Sequence, residues 1–277
     1  MTVESVPNGT NGTNGKTVQG ASAPAAPHRW ILGPVPIDAV TRDQALDWVE
    51  HLVTSGRGGS VFTPNVDHVV LASENARMRE VYNKVSLSIV DGMPLVWASR
   101  LLRESVPEKV SGSDFTPLVL ERAAARGWRV FFLGGAPGVA AKARDKLAVT
   151  LPALNIVGIE SPRIQMDDPP ETRADLTARL VAANPHIVMV ALGAPKQELL
   201  IDSLRSALPS AVFFAVGASL DFIAGTMERA PAWMSSVGLE WFFRLSQEPG
   251  RLWKRYLLRD PKFLLILHRA MRDRGLL

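Results

Sequence analysis

Cysteine is absent from the 277 residues, which rules out disulfides and thiolate metal sites. Histidine is scarce. The five present (His28, His51, His68, His186, His268) are scattered without HExxH or paired spacing, so a histidine metal centre is not expected. No Asp-x-Asp pair occurs, and that pair is a common anchor for a divalent ion on a diphosphate. Gly-x-Ser-x-Gly is missing too, which argues against a serine-hydrolase elbow. There is no Gly-x-Gly-x-x-Gly and no Walker lysine, so neither a dinucleotide nor an ATP fingerprint is present. No run of about 20 uninterrupted apolar residues exists, so no membrane-spanning helix is expected. The nearest, Ala211 to Gly225, is interrupted by Asp221 and by glycine.

What is present suffices for a large core: 47 % of residues are hydrophobic and 21 % charged. That balance fits one large α/β domain with an appendage. Residues 1–27 read as a disordered leader. Asn8-Gly-Thr-Asn-Gly-Thr-Asn-Gly15 is a polar repeat, an Ala/Pro-rich stretch follows to Pro27, and no signal-peptide apolar core is present. The chain's net charge is +4, yet Arg244 to Leu277 alone holds nine basic and three acidic residues. Such asymmetry points the tail at an anionic surface, either nucleic acid or acidic lipid.

Short apolar runs alternate with helical patterns. Strands are expected at Ser60–Thr63, Leu87–Val90, Arg129–Gly134, Asn155–Ile159, His186–Leu192 and Ala211–Gly217. Helices are expected from a Thr41 cap to about Val53, then over Asp114–Arg126, Val139–Thr150, Glu171–Ala183 and Lys196–Leu208. The alternation predicts an α/β fold, a Rossmann-like parallel sheet flanked by helices, over 28–230. From Pro231 the strands stop. Trp233, Trp241, Trp253, Tyr256 and Phe263 interleave with arginines. This predicts two or three amphipathic helices over 231–277, broken near Pro249 and Pro261. They form either a packed cap or a membrane-surface element.

In such sheets ligands bind beyond the carboxyl ends of the strands. Polar groups stand at several of these ends. Thr63-Pro-Asn65 offers a hydroxyl and an amide, although Asn65 reads first as a helix cap. Asp91 ends an apolar run before Gly92. Gly134 and Gly135 allow close backbone approach to a phosphate or ribose. Gly193-Ala-Pro-Lys196-Gln197-Glu198 leads a strand into a helix N-terminus, where unpaired N–H groups favour anions. Asp221 reads as a ribose or base contact, or as a helix cap.

Taken in order, Thr63-Pro-Asn65, Asp91-Gly-Met-Pro-Leu-Val-Trp97, Ser111-Gly-Ser-Asp114, Phe132-Leu-Gly-Gly135, Gly193-Ala-Pro-Lys-Gln-Glu198, Gly217-Ala-Ser-Leu-Asp221, Arg229-Ala-Pro-Ala-Trp233 and Gly238-Leu-Glu-Trp-Phe-Phe-Arg244 resemble the WecG/TagA/CpsF bacterial glycosyltransferases, glycosyltransferase family 26. The resemblance spans about residues 30 to 260. It implies a metal-independent, inverting transfer from a UDP-sugar to a polyprenyl-diphosphate-linked sugar at the cytoplasmic face of the plasma membrane. The implied donor is of N-acetylmannosamine, N-acetylmannosaminuronate or glucose type, and no cofactor is implied. The implied partners are that donor, that acceptor and an anionic membrane surface, with no nucleic acid.

By motif, Asp91 matches the general base. Thr63, Asn65 and Gln197 match residues around sugar and diphosphate, and Asp221 matches a nucleoside contact. Arg244 and Arg251 belong to the basic tail that completes the site, and Lys196 or Lys109 is a further candidate for the diphosphate. Lys109 stands where an arginine is common, which argues against a bidentate clamp there. The polar leader lies outside the family pattern. A nucleic-acid-binding protein that uses the basic tail is the alternative reading.

Overall fold

The structure is a computed structural model that describes residues 23–163, 165 and 170–277. Most of the expected leader, residues 1–22, lies outside the described residues.

The described strands are β1 (His28–Leu32), β2 (Val35–Ala39), β3 (Gly59–Phe62), β4 (Leu87–Ser88), β5 (Arg129–Gly134), β6 (Asn155–Glu160), β7 (Ile187–Ala191) and β8 (Val212–Ala215). The last six form one sheet in the order β4-β3-β8-β7-β5-β6, with every pair parallel. Both faces are apolar. Phe131, Leu133, Val188, Val190 and Phe213 join the core on one side. Their alternates Val130, Phe132, Ile187, Met189 and Phe214 join the core on the other. A sheet greasy on both faces must be covered by helices on both faces, as the α/β reading requires.

The flanking helices begin where local chemistry sets them. Thr41 caps Arg42–Thr54 with a capping box completed by Gln44. Ser111 caps Gly112–Arg126, and Gly127 ends it in the left-handed region. The expected helix over Lys196–Leu208 stops at Leu204. The run expected as strand to Val90 leaves the ladder after Ser88. It stays extended because Ile89 N–H donates to Phe62 O and Asp91 N–H donates to Pro64 O, both at 2.9 Å.

The antiparallel hairpin β1–β2 was not expected from sequence. Pro34 and Pro36 argue against a strand, but Trp30, Leu32, Val35 and Ile37 alternate inward and are buried. Asp38, also buried, takes a bidentate pair from Arg29 at 2.7 Å and accepts Ser88 N–H at 2.8 Å. The hairpin is thereby tied to the edge of the main sheet.

Beyond Pro231 the chain is helical: Ala232–Ser236, Glu240–Gln247, Pro249–Lys254, a π-helical Arg255–Arg259, a 3-10 turn Asp260–Lys262 and Phe263–Asp273. Pro249 opens one helix and Pro261 sits in the 3-10 turn, near the expected breaks. Leu252 and Phe263 are buried, and Phe263 joins the core cluster.

Candidate active site

The crossover from β5 runs outward to β6, whereas that from β7 runs the other way to β8. The topological switch point therefore lies between β5 and β7, where open α/β sheets admit ligands. Gly135 and Gly193 stand at its two lips with φ of 79° and 72°, backbone that only glycine adopts without strain. From there a cavity of about 590 Å³ spreads across the ends of β8 and β3. The loops of the sheet bring Thr63, Asn65, Asp91, Gly135, Gln197 and Asp221 to its wall, and the tail adds Arg244 and Arg251. A smaller cavity of about 290 Å³ adjoins it, and Lys109 lines this one. Asn65, Asp91, Glu240, Arg244 and Arg255 line both.

Gly134 and Lys196 line neither cavity. Gly134 is the last residue of β5, and a Cβ there would come within 2.6 Å of Ala191 O, so its role is backbone packing. Lys196 is exposed while the next residue, Gln197, is buried. Residues 197 to 201 of the same helix are all buried, so Lys196 stands at its exposed N-terminal end.

Asp91 is the pivot. Its N–H bond to Pro64 O holds it beside Thr63 and Asn65. It meets the cavities on one side and is walled by protein on the others, and this burial pushes its carboxyl up to about 7. Glu240 pushes the same way, while Lys109, Arg244 and His68 pull it back. Thr63 is crowded by the N-terminus of helix Gly112–Arg126. A Cβ at Gly112 would lie 2.8 Å from Thr63 Oγ1, so glycine there permits that approach.

Asn65 does what its spacing predicted. Its Oδ1 caps helix Val66–Glu74 by accepting Asp67 N–H at 3.1 Å. The same oxygen receives Arg255 Nη2 at 3.1 Å and lies 2.9 Å from His68 Nδ1. Gln197 is less available than its motif implied. Its Oε1 accepts Gly193 N–H at 3.2 Å and Gly217 N–H at 3.0 Å. Its Nε2 donates to Glu198 Oε1 at 2.8 Å. It therefore clamps the loops after β7 and β8 to one another. Glu198 is fully buried and sits 3.3 Å from His68 Nε2. A continuous polar chain thus runs from Gln197 through the buried Glu198 to His68 and Asn65 along the cavity wall.

Asp221 lies in the first turn of Ser219–Ala224. Burial raises its carboxyl above the ordinary range, and the Thr226 hydroxyl partly offsets this. Arg251 pairs with Glu248. Arg244 Nε is buried with no hydrogen-bond partner among the described residues, an unmet donor beside Asp91 that suits an incoming anion.

Sequence reasoning missed Arg255, Arg259, Asp67, His68 and Glu240. Arg255 Nε approaches Asp67 Oδ2 at 3.2 Å, and Arg259 Nε approaches Asp67 Oδ1 at 2.6 Å. An acid in a first helical turn reads as an ordinary dipole partner, so nothing local singled out Asp67. No group of three or more His, Cys, Asp or Glu side chains able to hold a metal occurs among the described residues.

A parallel sheet with a cavity at its carboxyl edge, bordered by Asp91 and by arginines of the helical tail, is the architecture of an α/β protein with its ligand site at the strand ends. The Glycosyl transferase WecG/TagA/CpsF family model matches residues 30–275, and the chain belongs to that family. It is a glycosyltransferase of cell-surface polysaccharide synthesis that works with a sugar donor and a lipid-linked acceptor.

Proposed function

We propose that the donor is a UDP-sugar of N-acetylmannosamine, N-acetylmannosaminuronate or glucose type. The acceptor is a polyprenyl-diphosphate-linked sugar, and transfer proceeds with inversion and without metal. The acceptor oxygen bonds to the anomeric carbon as the bond from that carbon to the UDP oxygen breaks. The electron pair leaves with UDP, and the acceptor's proton passes to Asp91. One carboxylate opposite the leaving group suffices for a single inverting displacement. A retaining glycosidase needs a second carboxylate as nucleophile. Arg244, with Arg251, meets the charge that develops on the diphosphate. Thr63 and the amide nitrogen of Asn65 flank the sugar and diphosphate, and Asp221 contacts the nucleoside. Gln197 acts by holding the two loops that frame them.

The observation that carries this reading is the Asp91 carboxyl, which borders both cavities and is poised at about 7. A base of that strength is matched to neutral pH.

In this reading residues 28–230 are the catalytic domain and 231–277 the appendage that closes it. The appendage rests on the inner face of the plasma membrane. Supporting this, eleven of the sixteen exposed large apolar side chains among the described residues follow position 230, interleaved with the tail's basic excess. No helix among the described residues is long and apolar enough to cross a membrane.

The test is UDP release from a panel of UDP-sugars on a synthetic lipid-diphosphate sugar in excess EDTA. One donor should be turned over at the rate seen without chelator. Activity that vanishes in EDTA and returns with Mg²⁺ or Mn²⁺ would refute the metal-free mechanism.

A further inference from the structure

The two cavities differ in chemistry. The larger is walled by glycine-rich loops around the switch point, where backbone approaches a nucleotide closely. The smaller is lined by Met93, Pro94, Trp241, Tyr256 and Leu264. We infer that this smaller cavity is the acceptor site: it holds the acceptor's terminal sugar against the Trp241–Tyr256 corner, and the lipid chain leaves over Leu264. The inference rests on the transferase reading above and deepens it.

Four observations support this assignment. First, the walls shared by the cavities hold the groups both substrates must meet, Asp91 and Arg244. A hydroxyl presented from the smaller cavity and an anomeric carbon presented from the larger would face each other across Asp91. Second, the Trp241 and Tyr256 rings lie 5.7 Å apart and tilted by 60°, an aromatic corner suited to the C–H faces of a sugar ring. Glu240 and Asp260 on the same wall can accept its hydroxyl protons. Third, about 290 Å³ falls at the small end of ligand pockets: room for a saccharide, not for a polyprenyl chain. Fourth, Leu264 lines the cavity yet is 67 % exposed. Leu265, Leu257 and Leu258 nearby in the chain are exposed as well, so apolar surface continues outward from the cavity. Lys109, which lines the smaller cavity and not the larger, supplies positive charge for the acceptor's own diphosphate.

The test uses Trp241→Ala, Trp241→Phe and Leu264→Ser in the full chain. Each is assayed with a short-chain, water-soluble acceptor and with a long-chain acceptor in detergent, and UDP affinity and melting temperature are measured in parallel. Trp241 is partly exposed, so its variants should fold. Trp241→Ala removes the aromatic face and should raise the acceptor KM about tenfold with either acceptor, equivalent to about 1.4 kcal/mol, Trp241→Phe should recover part of the loss, and the Kd for UDP should move less than about twofold. Leu264→Ser should raise KM for the long-chain acceptor alone. Weakened UDP binding with an unchanged acceptor KM in Trp241→Ala would overturn the assignment. So would an unchanged acceptor KM in all three variants. A wild-type protein that binds UDP but releases none from any donor with either acceptor would overturn the transferase reading itself, an outcome distinct from the other two.

Discussion

Asp91 owes its chemistry to its surroundings rather than to its residue type. Its pKa is raised to about 7, first by burial and then by Glu240. The base form is therefore lost as pH falls through that value. Activity as kcat/KM should climb with pH to a midpoint near 7 and level off above it. Glu240→Gln removes a like charge and should move this limb to lower pH, whereas Lys109→Met should move it higher. pH profiles of the two variants check both signs, and limbs that stay in place would remove these residues from the base's environment. The same shift bears on stability. The folded pKa lies above the unfolded one, so the fold favours the protonated form: stability is lost as pH rises from the ordinary carboxylate range to about 7, and the loss is complete above that. Asp91→Asn should accordingly melt at a higher temperature than wild type at pH 8, and a lower one would contradict the burial argument. Legibility at this scale was partial. Asn65 could be read as a cap from its spacing, and Asp91 as the tip of an apolar run. That Gln197 spends its amide on two backbone N–H groups and Glu198 depends on loops brought together only by the sheet, which no local pattern encodes.

The helices after Pro231 reach the site because they are anchored to it. Asp67, nearly buried, receives Arg255 and Arg259. Arg274 donates to Glu104 at 2.7 Å and to Leu102 O at 3.1 Å, so it fastens the far end of the tail. Removing one partner of a fully buried ion pair costs roughly 3–5 kcal/mol. With Arg259 about a third exposed, screening reduces this to about 2 kcal/mol or somewhat more. Asp67→Ala should therefore lower the melting temperature and expose the Arg244–Arg259 stretch to trypsin, as limited proteolysis would show. A tail as resistant as wild type would mean that apolar packing by Leu252 and Phe263 alone holds it. All six strands of the main sheet were legible: both-face burial leaves continuous apolar runs such as Val130–Leu133 and Ile187–Ala191, and the half-buried edge strand β6 still carries Ile156, Val157 and Ile159. The β1–β2 hairpin was not, because Pro34 and Pro36 mask an alternating inward set. Element ends shifted by a few residues where tertiary bonds, not propensity, decided them, as at Asp91.

Over the whole molecule the cavities, Asp91 between them and the basic aromatic tail form one arrangement. If the tail meets an anionic leaflet, each basic residue near it adds on the order of 1 kcal/mol, weakened by salt. Charge reversal at Arg269 and Arg272, both exposed, should release the protein from anionic vesicles and leave turnover of a soluble acceptor unchanged. Vesicle sedimentation across a salt series measures this, and retention of both variants would argue for a purely apolar attachment. Arg274 is not a suitable probe, since its loss would also unfasten the tail. The α/β class, the basic tail and the family pattern were legible from the chain. The division into two cavities was not, because the smaller one exists only where helices 240–247 and 263–273 close over the Asp91 loop. The central claim, that Asp91 is the base between donor and acceptor, is tested most directly by the turnover of Asp91→Asn on the soluble acceptor, with UDP affinity measured on the same sample. The account predicts wild-type UDP binding with turnover reduced by roughly 10²-fold or more. Turnover near the wild-type rate would contradict it.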